Sequence, residues 1–595
     1  MTTENSSKHS KDHYIPDKQG ALVLQGGGAL GAYEAGVLEV LCKKIAEEND
    51  GREDGLLFDI VAGTSIGAMN AAIFVSQFLE TRNWNKAAEK LQNFWTDQLA
   101  VKGMDISEIS KPWYDHWKKR DEPNTASPEE ARRYYSVRRL LLDQVGNNMY
   151  YLSESAPDKR FFDNLYQENG PNTDNCDCKD PNCKKPNFLN NFWMVHSSMP
   201  LQESIEKYAK LPISTDYKDN QPRLLIFSVD VAEGVTVTFD SYPKTKDSRK
   251  SVYGKSNEIV IEYNDGIEIE HVMASGTVPV FYKYAIVPIH SKDKQANEDS
   301  TSNPKNADGN NKNIRYFFDG GWLSNTPFRE LLTAHQDYWK YKSNGGKIPD
   351  LDVYIVNVHP SKYGSPELRE DHDGVTERAN DIIYSDRTSH YDEKMAHLIT
   401  DYANLCRQLN DRITTDYANL CSQINTLVDD QVKDEKTKQI FKNRLNDITS
   451  THVDDEDEII LRRKYKDLVE SAFDLSVVMR VERRGYVNNT SAKTGDLTFE
   501  TIKKLIIEGK CDAWFTIIEK SINDAKLDDK NKCVLIEALH NVGQNLEKKD
   551  YEDNDSQAYQ LLTEFIKMVE AEKGLEKHHL RNLVASAREI LSILD

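Results

Sequence analysis

GALVLQGGGALGAYEAGVLEVLCKKI (residues 20–45) and FDIVAGTSIGAMNAAIFVSQF (residues 58–78) decide how this chain is read. In the first stretch, Ala21-Leu22-Val23-Leu24 is a short apolar run of the kind a buried strand needs. It passes directly into Gly26-Gly27-Gly28-Ala29-Leu30-Gly31. Val37, Leu38, Val40, Leu41 and Ile45 then recur at helical spacing as far as Asn49-Asp50-Gly51. In the second stretch, Phe58 to Ala62 predicts a strand, Gly63-Thr64-Ser65-Ile66-Gly67 a turn, and Ala68 to Phe78 a helix of small residues. Strand, glycine turn and helix, twice over, make a βαβα start. That start implies an α/β fold with a parallel sheet and helices on both faces.

Working outward, residues 1–19 read as a disordered tail, and residues 99–215 mix Trp, Tyr and charge irregularly, as an insertion does. Further strands are expected at Leu224 to Val229, Val235 to Phe239, Ile259 to Tyr263, Arg315 to Phe318 and Leu351 to Val358. Residues 291–313 (SKDKQANEDSTSNPKNADGNNKN) carry almost no apolar side chains and predict a flexible loop. These elements define one α/β domain over 20–360. Beyond Pro360 the periodicity becomes helical, and an all-α C-terminal region is expected. It divides into an extension over 361–525 and a small module over 526–595. Within the extension, TDYANLC at 400–406 returns at 415–421, about four helical turns later. Asp454-Asp455-Glu456-Asp457-Glu458 reads as a solvated linker. In the module, Leu535/Leu539/Val542, Leu562/Phe565/Val569 and Leu583/Ala587/Leu591 are three helical stripes.

Composition narrows the function. The chain has 595 residues, 76 basic and 97 acidic, for a formal charge of −21. That balance argues against a nucleic-acid binder, because Lys and Arg supply most of the affinity for a phosphate backbone. The longest apolar stretch, Ala68 to Val75, is interrupted by Asn70 and falls far short of the ~18 residues of a spanning helix. The polar N-terminus lacks the apolar core of a signal peptide. Eight cysteines in this length do not make a disulfide scaffold, so a cytoplasmic protein, with membrane association left open, is expected.

Three motifs carry chemistry. Gly63-x-Ser65-x-Gly67 between strand and helix is the context of a nucleophile elbow, which presents a Ser hydroxyl at a helix N-terminus. The same residues would equally make a tight βα turn in which Gly63 and Gly67 permit close packing. Gly26 to Gly31 matches a dinucleotide fingerprint, yet the second strand ends in Ala62-Gly63 without the acidic ribose partner. No Gly-Lys-Ser/Thr follows, which also excludes a phosphate loop. Three glycines can instead aim N–H groups at one point, as an oxyanion hole does. Asp319-Gly320-Gly321 ends an apolar strand, either as a plain turn or as a carboxylate at the same sheet edge as Ser65. Because His is the common general base, His335 and His359 are the alternative partners of a triad. Cys176-x-Cys178-x4-Cys183 could hold zinc with a fourth ligand, or be three thiols in a loop.

Taken together, Gly26 to Tyr33, Gly63 to Asn70 and Asp319-Gly320-Gly321 resemble the patatin-like phospholipase family in order and spacing, over about residues 20–360. Ala274-Ser275-Gly276-Thr277-Val278-Pro279 and Ser324-Asn325-Thr326-Pro327 resemble its segments flanking the catalytic Asp. The resemblance implies a lipid acyl hydrolase in which Ser65 attacks an ester carbonyl and Asp319 accepts its proton. Gly26, Gly27 and Gly28 would hold the oxyanion, with Gly31, Gly63, Gly67, Gly320 and Gly321 as motif glycines. It implies no metal and no cofactor, and a lipid or membrane-surface ester as the partner. Many members carry Arg or Lys where this chain has Leu30, so a carboxylesterase or neutral-lipid lipase is the alternative. A catalytically silent lipid-binding scaffold is the alternative of another class.

Overall fold

A computed structural model of the chain describes residues 15–48, 56–101, 151–152, 196–243, 248–254, 259–279, 282, 284–288, 314–343, 347–359, 372–385, 394, 396, 398–405, 434, 436–437, 439, 472–475, 477–484, 493–548, 556–572 and 574–594. Cys176, Cys178 and Cys183, the 291–313 loop, the second TDYANLC copy, the acidic run at 454–458 and most of 99–215 lie outside these residues. The chain divides into two compact units. One comprises Met1–Ala21, Phe328–Tyr354 and Thr388–Met479; the other comprises Leu22–Pro327, Ile355–Arg387 and Arg480–Asp595.

Among the described residues a mixed sheet holds eight strands: β1 (Lys18–Leu24), β2 (Ile60–Thr64), β3 (Arg223–Asp230), β4 (Val235–Asp240), β5 (Ala285–Pro288), β6 (Ile314–Asp319), β7 (Asp350–Asn357) and β8 (Val477–Glu482). The helices are α1 (Gly31–Glu48), α2 (Ile66–Thr81), α3 (Trp84–Asn93), α4 (Met199–Tyr208), α5 (Ile269–Ser275), α6 (Phe328–Lys342), α7 (His372–Tyr384), α8 (Phe499–Asp524), α9 (Asp529–Lys548), α10 (Ser556–Ala571) and α11 (Lys577–Leu594). The expected α/β core is therefore present, followed by a helical C-terminal region. Two expectations need correcting: the region after Pro360 is not all-α, because β8 from the 361–525 extension pairs with β7 in the sheet, and the first strand begins at Lys18, within the stretch read as a disordered tail.

In the first unit, α6 buries Leu331, His335, Tyr338 and Trp339. Trp339 Nε1 donates to Gln19 Oε1 at 2.7 Å, and Leu351 N–H donates to the Asp474 carbonyl at 2.8 Å. These bonds satisfy polar groups that burial would otherwise strand.

The glycine loop, Ser65 and Asp319 fall within the second unit. The strand order of the sheet is β8-β7-β1-β2-β3-β6-β5, with β4 paired to β3. β2 and β3 are parallel, whereas β3–β4, β3–β6 and β6–β5 are antiparallel. Ala21 to Leu24 are fully buried, as a continuous apolar run in an interior strand should be. Residues Ile66 to Phe78 of α2 are all buried, and Phe58, Phe74 and Phe78 gather around Trp84 with ring centroids 4.0–5.5 Å apart.

The C-terminal helices are not an appendage in this unit. α8 crosses α1 so closely that a Cβ at Gly36 would lie 2.1 Å from the Ile506 carbonyl oxygen, and one at Gly509 would lie 2.2 Å from that of Tyr33. Tyr33 Oη donates to Asp512 Oδ2 at 3.1 Å, and Arg483 pairs with Glu508 at 3.1 Å in the same buried layer. α8 also contacts α9 and α11. The stripes on α9 to α11 are buried as their spacing predicts, except that Ile590 takes the place expected of Leu591. No helix among the described residues is long and apolar enough to cross a membrane.

Candidate active site

Strand β3 brings two distant motifs together. β4 occupies one edge of β3 from Leu225 to Asp230, so β2 and β6 must share the other edge, end to end. β2 runs along it until Thr64 stands opposite Phe227. β6 then takes over with Asp319 opposite Ser228, the very next position. Ser65 and Asp319, 254 residues apart in sequence, are thus neighbours by register. Ser65 Oγ donates to Asp319 Oδ2 at 2.5 Å.

The backbone at Ser65 has φ 56° and ψ −127°, a region that side-chain-bearing residues rarely adopt. It makes a sharp bend at the first turn of α2, the backbone geometry that a nucleophile elbow requires. The bend survives because its surroundings over-determine it. The Ser65 N–H donates to Ser275 Oγ at 2.9 Å, and Ser275 Oγ donates in turn to the Phe227 carbonyl at 2.5 Å. Tight packing explains the flanking glycines: a Cβ at Gly63 would lie 2.3 Å from the Gly67 carbonyl oxygen, and one at Gly67 would lie 2.5 Å from that of Leu24.

Asp319 is held at both ends. Its N–H donates to the Thr277 carbonyl at 2.9 Å, and its Oδ1 accepts from the Gly321 N–H at 2.7 Å. Burial raises its pKa to about 6, against the lowering effect of the hydrogen bonds from Ser65 and Gly321. A carboxylate so shifted is a stronger base than a solvated one and is still ionised near neutrality.

The glycine loop lies against the elbow: a Cβ at Gly26 would come within 2.8 Å of Ser65 Cβ. One expectation about it needs correcting. The Gly26 N–H donates to the Asn325 carbonyl at 3.2 Å, so it is already engaged and does not face the serine as an open donor. Asn325 Nδ2 completes a reciprocal pair by donating to the Gly26 carbonyl at 3.1 Å, and it also donates to the Tyr384 carbonyl at 2.7 Å. The N–H groups of Gly27 and Gly28 have no acceptor among the described residues. Gly28 adopts φ +57°, and the Thr494 carbonyl oxygen would stand 2.4 Å from a Cβ there. Leu30 is buried beneath the loop.

Below the loop, Asn70 ties α2 to α1. Its Nδ2 donates to the Gly31 carbonyl at 2.9 Å and to Glu34 Oε2 at 2.8 Å, while its Oδ1 accepts from Trp95 Nε1 at 3.1 Å. Burial pushes the Glu34 carboxyl well above its ordinary pKa.

Neither alternative histidine bonds to Ser65 or Asp319. In the first unit, His335 Nε2 is bonded to the Pro349 carbonyl at 2.9 Å, and its ring meets Phe473 edge-on. His359 donates its backbone N–H to Gln25 Oε1 at 2.8 Å, and its ring lies 6.0 Å from that of Tyr384. Away from the site, Glu576, His578 and His579 offer ligand atoms within 4.8 Å of one another. There Glu576 is already paired with Lys526 Nζ at 3.2 Å.

Ser275 and Asn325 fall in the two flanking segments that the sequence singles out, but no role for either follows from the sequence alone. Asn70 ends the Gly63 to Asn70 motif, but Gln25, Glu34 and Tyr384 carry no local signal, because each meets a partner distant in sequence.

The sequence model of a family described as "Patatin-like phospholipase" matches residues 22–332. No curated protein matches the chain. Among solved structures, the crystal structure of VipD from Legionella pneumophila aligns at 12% identity over 97% of this chain and 85% of that one. Its TM-score is 0.23, too low to bear on the fold.

Proposed function

The chain belongs to the patatin-like phospholipase family, and on that premise we propose that it is a lipid acyl hydrolase working through a Ser65–Asp319 dyad and an acyl-enzyme. The observation that carries this reading is the 2.5 Å hydrogen bond from Ser65 Oγ to a buried Asp319 carboxylate at a strained elbow.

As Ser65 Oγ attacks the ester carbonyl carbon, Asp319 Oδ2 takes its proton. The carbonyl oxygen becomes an oxyanion, received by the N–H groups of Gly27 and Gly28 beside the N-terminus of α2. Collapse breaks the ester C–O bond, and the departing alcohol leaves with the proton held by Asp319. Water then attacks the acyl-enzyme and gives a proton to Asp319. The second collapse releases the fatty acid, and Ser65 recovers its proton. Residues on this chain supply every group in that cycle.

Phospholipids and lysophospholipids are the first substrates to try. Leu30 supports the alternative, a carboxylesterase or neutral-lipid lipase, because it puts an apolar side chain where many members of the family carry a cation that would favour a phosphate headgroup. The hydrogen-bonded dyad weighs against a silent scaffold.

The test is labelling with a fluorophosphonate, mapped by mass spectrometry, beside acyl release from a panel of phospho-, lysophospho- and neutral lipids. Label on Ser65 with acyl release supports the hydrolase. A chain that neither labels nor releases acyl groups is the scaffold.

A further inference from the structure

Two pairs of large apolar side chains stand in water beside the dyad. Trp322 and Leu323 are 55% and 56% exposed, and they directly follow Asp319-Gly320-Gly321. Ile382 and Ile383 are 45% and 49% exposed in the last turn of α7. The carbonyl of Tyr384, which ends α7, accepts from Asn325 Nδ2 at 2.7 Å and Gln25 Nε2 at 3.4 Å. α7 also touches the 3-10 turn Gly320–Trp322. Both pairs are therefore fastened to the loops that hold Asp319 and the glycines. Exposed apolar residues scattered singly are ordinary, but adjacent pairs built onto the frame of a site mark a surface that meets something apolar.

We propose that Trp322, Leu323, Ile382 and Ile383 form a docking face for a zwitterionic lipid–water interface, bringing the Ser65–Asp319 site to the lipid. The proposal rests on the hydrolase reading for the nature of the partner. Three observations favour lipid as the occupant. The face is continuous with a site whose family acts on lipid esters. Trp is the side chain that settles at the boundary between headgroup and acyl chain. A formal charge of −21 repels an anionic surface, so apolar insertion into a zwitterionic one must carry the binding, and added salt should not release it.

The experiment uses full-length Ser65→Ala, which leaves the lipid intact, with sucrose-loaded phosphatidylcholine vesicles. The protein should sediment with the vesicles at low and at high salt. Adding Trp322→Ser/Leu323→Ser, or separately Ile382→Ser/Ile383→Ser, should lower the partition coefficient at least ~10-fold, as expected for deleting two inserted apolar side chains. Unchanged melting temperatures establish that each pair folds, and if one pair does not, the other decides. Failure of Ser65→Ala to sediment, or pairs that sediment as it does, overturns the proposal. So does a dimer in sedimentation velocity that either pair dissolves, because the face would then join two copies of the chain. Vesicle binding without acyl release by the wild type would refute the hydrolase reading alone, and acyl release without vesicle binding would refute the docking face alone.

Discussion

Replacing Asp319 by Asn separates what the carboxylate does for chemistry from what it does to stability. Asn keeps the shape: its Oδ1 can still accept the Gly321 N–H, and its Nδ2 can donate to Ser65 Oγ. It cannot take a proton, so turnover should fall by roughly the 10²–10⁴-fold of a lost general base. Stability should move the other way. Burial raises the Asp319 pKa from 3.8 to about 6. The difference, about 2 units at about 1.4 kcal/mol each, means that folding opposes ionisation by about 3 kcal/mol. The unfolded carboxyl loses its proton near pH 4 and the folded one near pH 6. Between those values the native state binds the extra proton, so wild-type stability falls as pH rises through that window and levels off above it. The Asp319→Asn protein carries no ionisable group there and escapes this loss. Denaturant unfolding of both proteins from pH 4 to pH 7.5 should show the variant gaining on the wild type by up to about 3 kcal/mol, with little further change above pH 7. A stability difference that stays constant from pH 4 to pH 7.5 would refute the reasoning, as would a variant that retains wild-type turnover.

Ester hydrolysis should titrate with the same group: kcat/KM should rise with pH through a midpoint of about 6 and level off above it, and a profile flat from pH 5 to 8 would exclude Asp319 as the base. Ser65→Ala should abolish acyl release while leaving the melting temperature within a few degrees. More than a few per cent residual turnover would place the nucleophile elsewhere. Ser275→Ala removes the acceptor of the Ser65 N–H, and loss of that buried bond should lower stability by about 1–3 kcal/mol and reduce kcat more than it changes KM. Gly509→Val drives a side chain into the Tyr33 carbonyl, and circular dichroism should show a melting temperature lowered by several degrees, with normal stability contradicting the close crossing.

How much of this was legible in the sequence follows from the range of each interaction. The first strand, the glycine loop and the elbow are local: an apolar run passes into glycines and then into a helical stripe, all within one stretch of sequence. Even so, β2 is displaced by two residues from its expected span, Phe58 to Ala62. Gly63 and Thr64 are recruited as strand by pairing with Ile226 and Phe227, a contact that no local pattern encodes. β8 was hidden for a similar reason. Val477–Glu482 is only six residues long in a region expected to be helical, and its strand character comes from the sheet it joins. The Gly26 N–H was expected to be an open donor because its acceptor, the Asn325 carbonyl, is 299 residues away. The partnership of Ser65 and Asp319 was inferred from motif order, whereas its physical cause is the shared edge of β3.

The crossing of α1 and α8 has a consequence for the order in which the protein comes into being. By the time residue 360 leaves the ribosome, every group of the proposed reaction has been made. The helix that leads out of the glycine loop, however, still lacks the surface against which Tyr33 and Gly36 pack, because that surface begins at Phe499. Thr494, which lies on Gly28, is also still to come. A nascent chain therefore holds Ser65, the proposed nucleophile, beside a glycine loop that is not yet braced. If the proposed reaction needs that bracing, activity arrives only after α8 has been made.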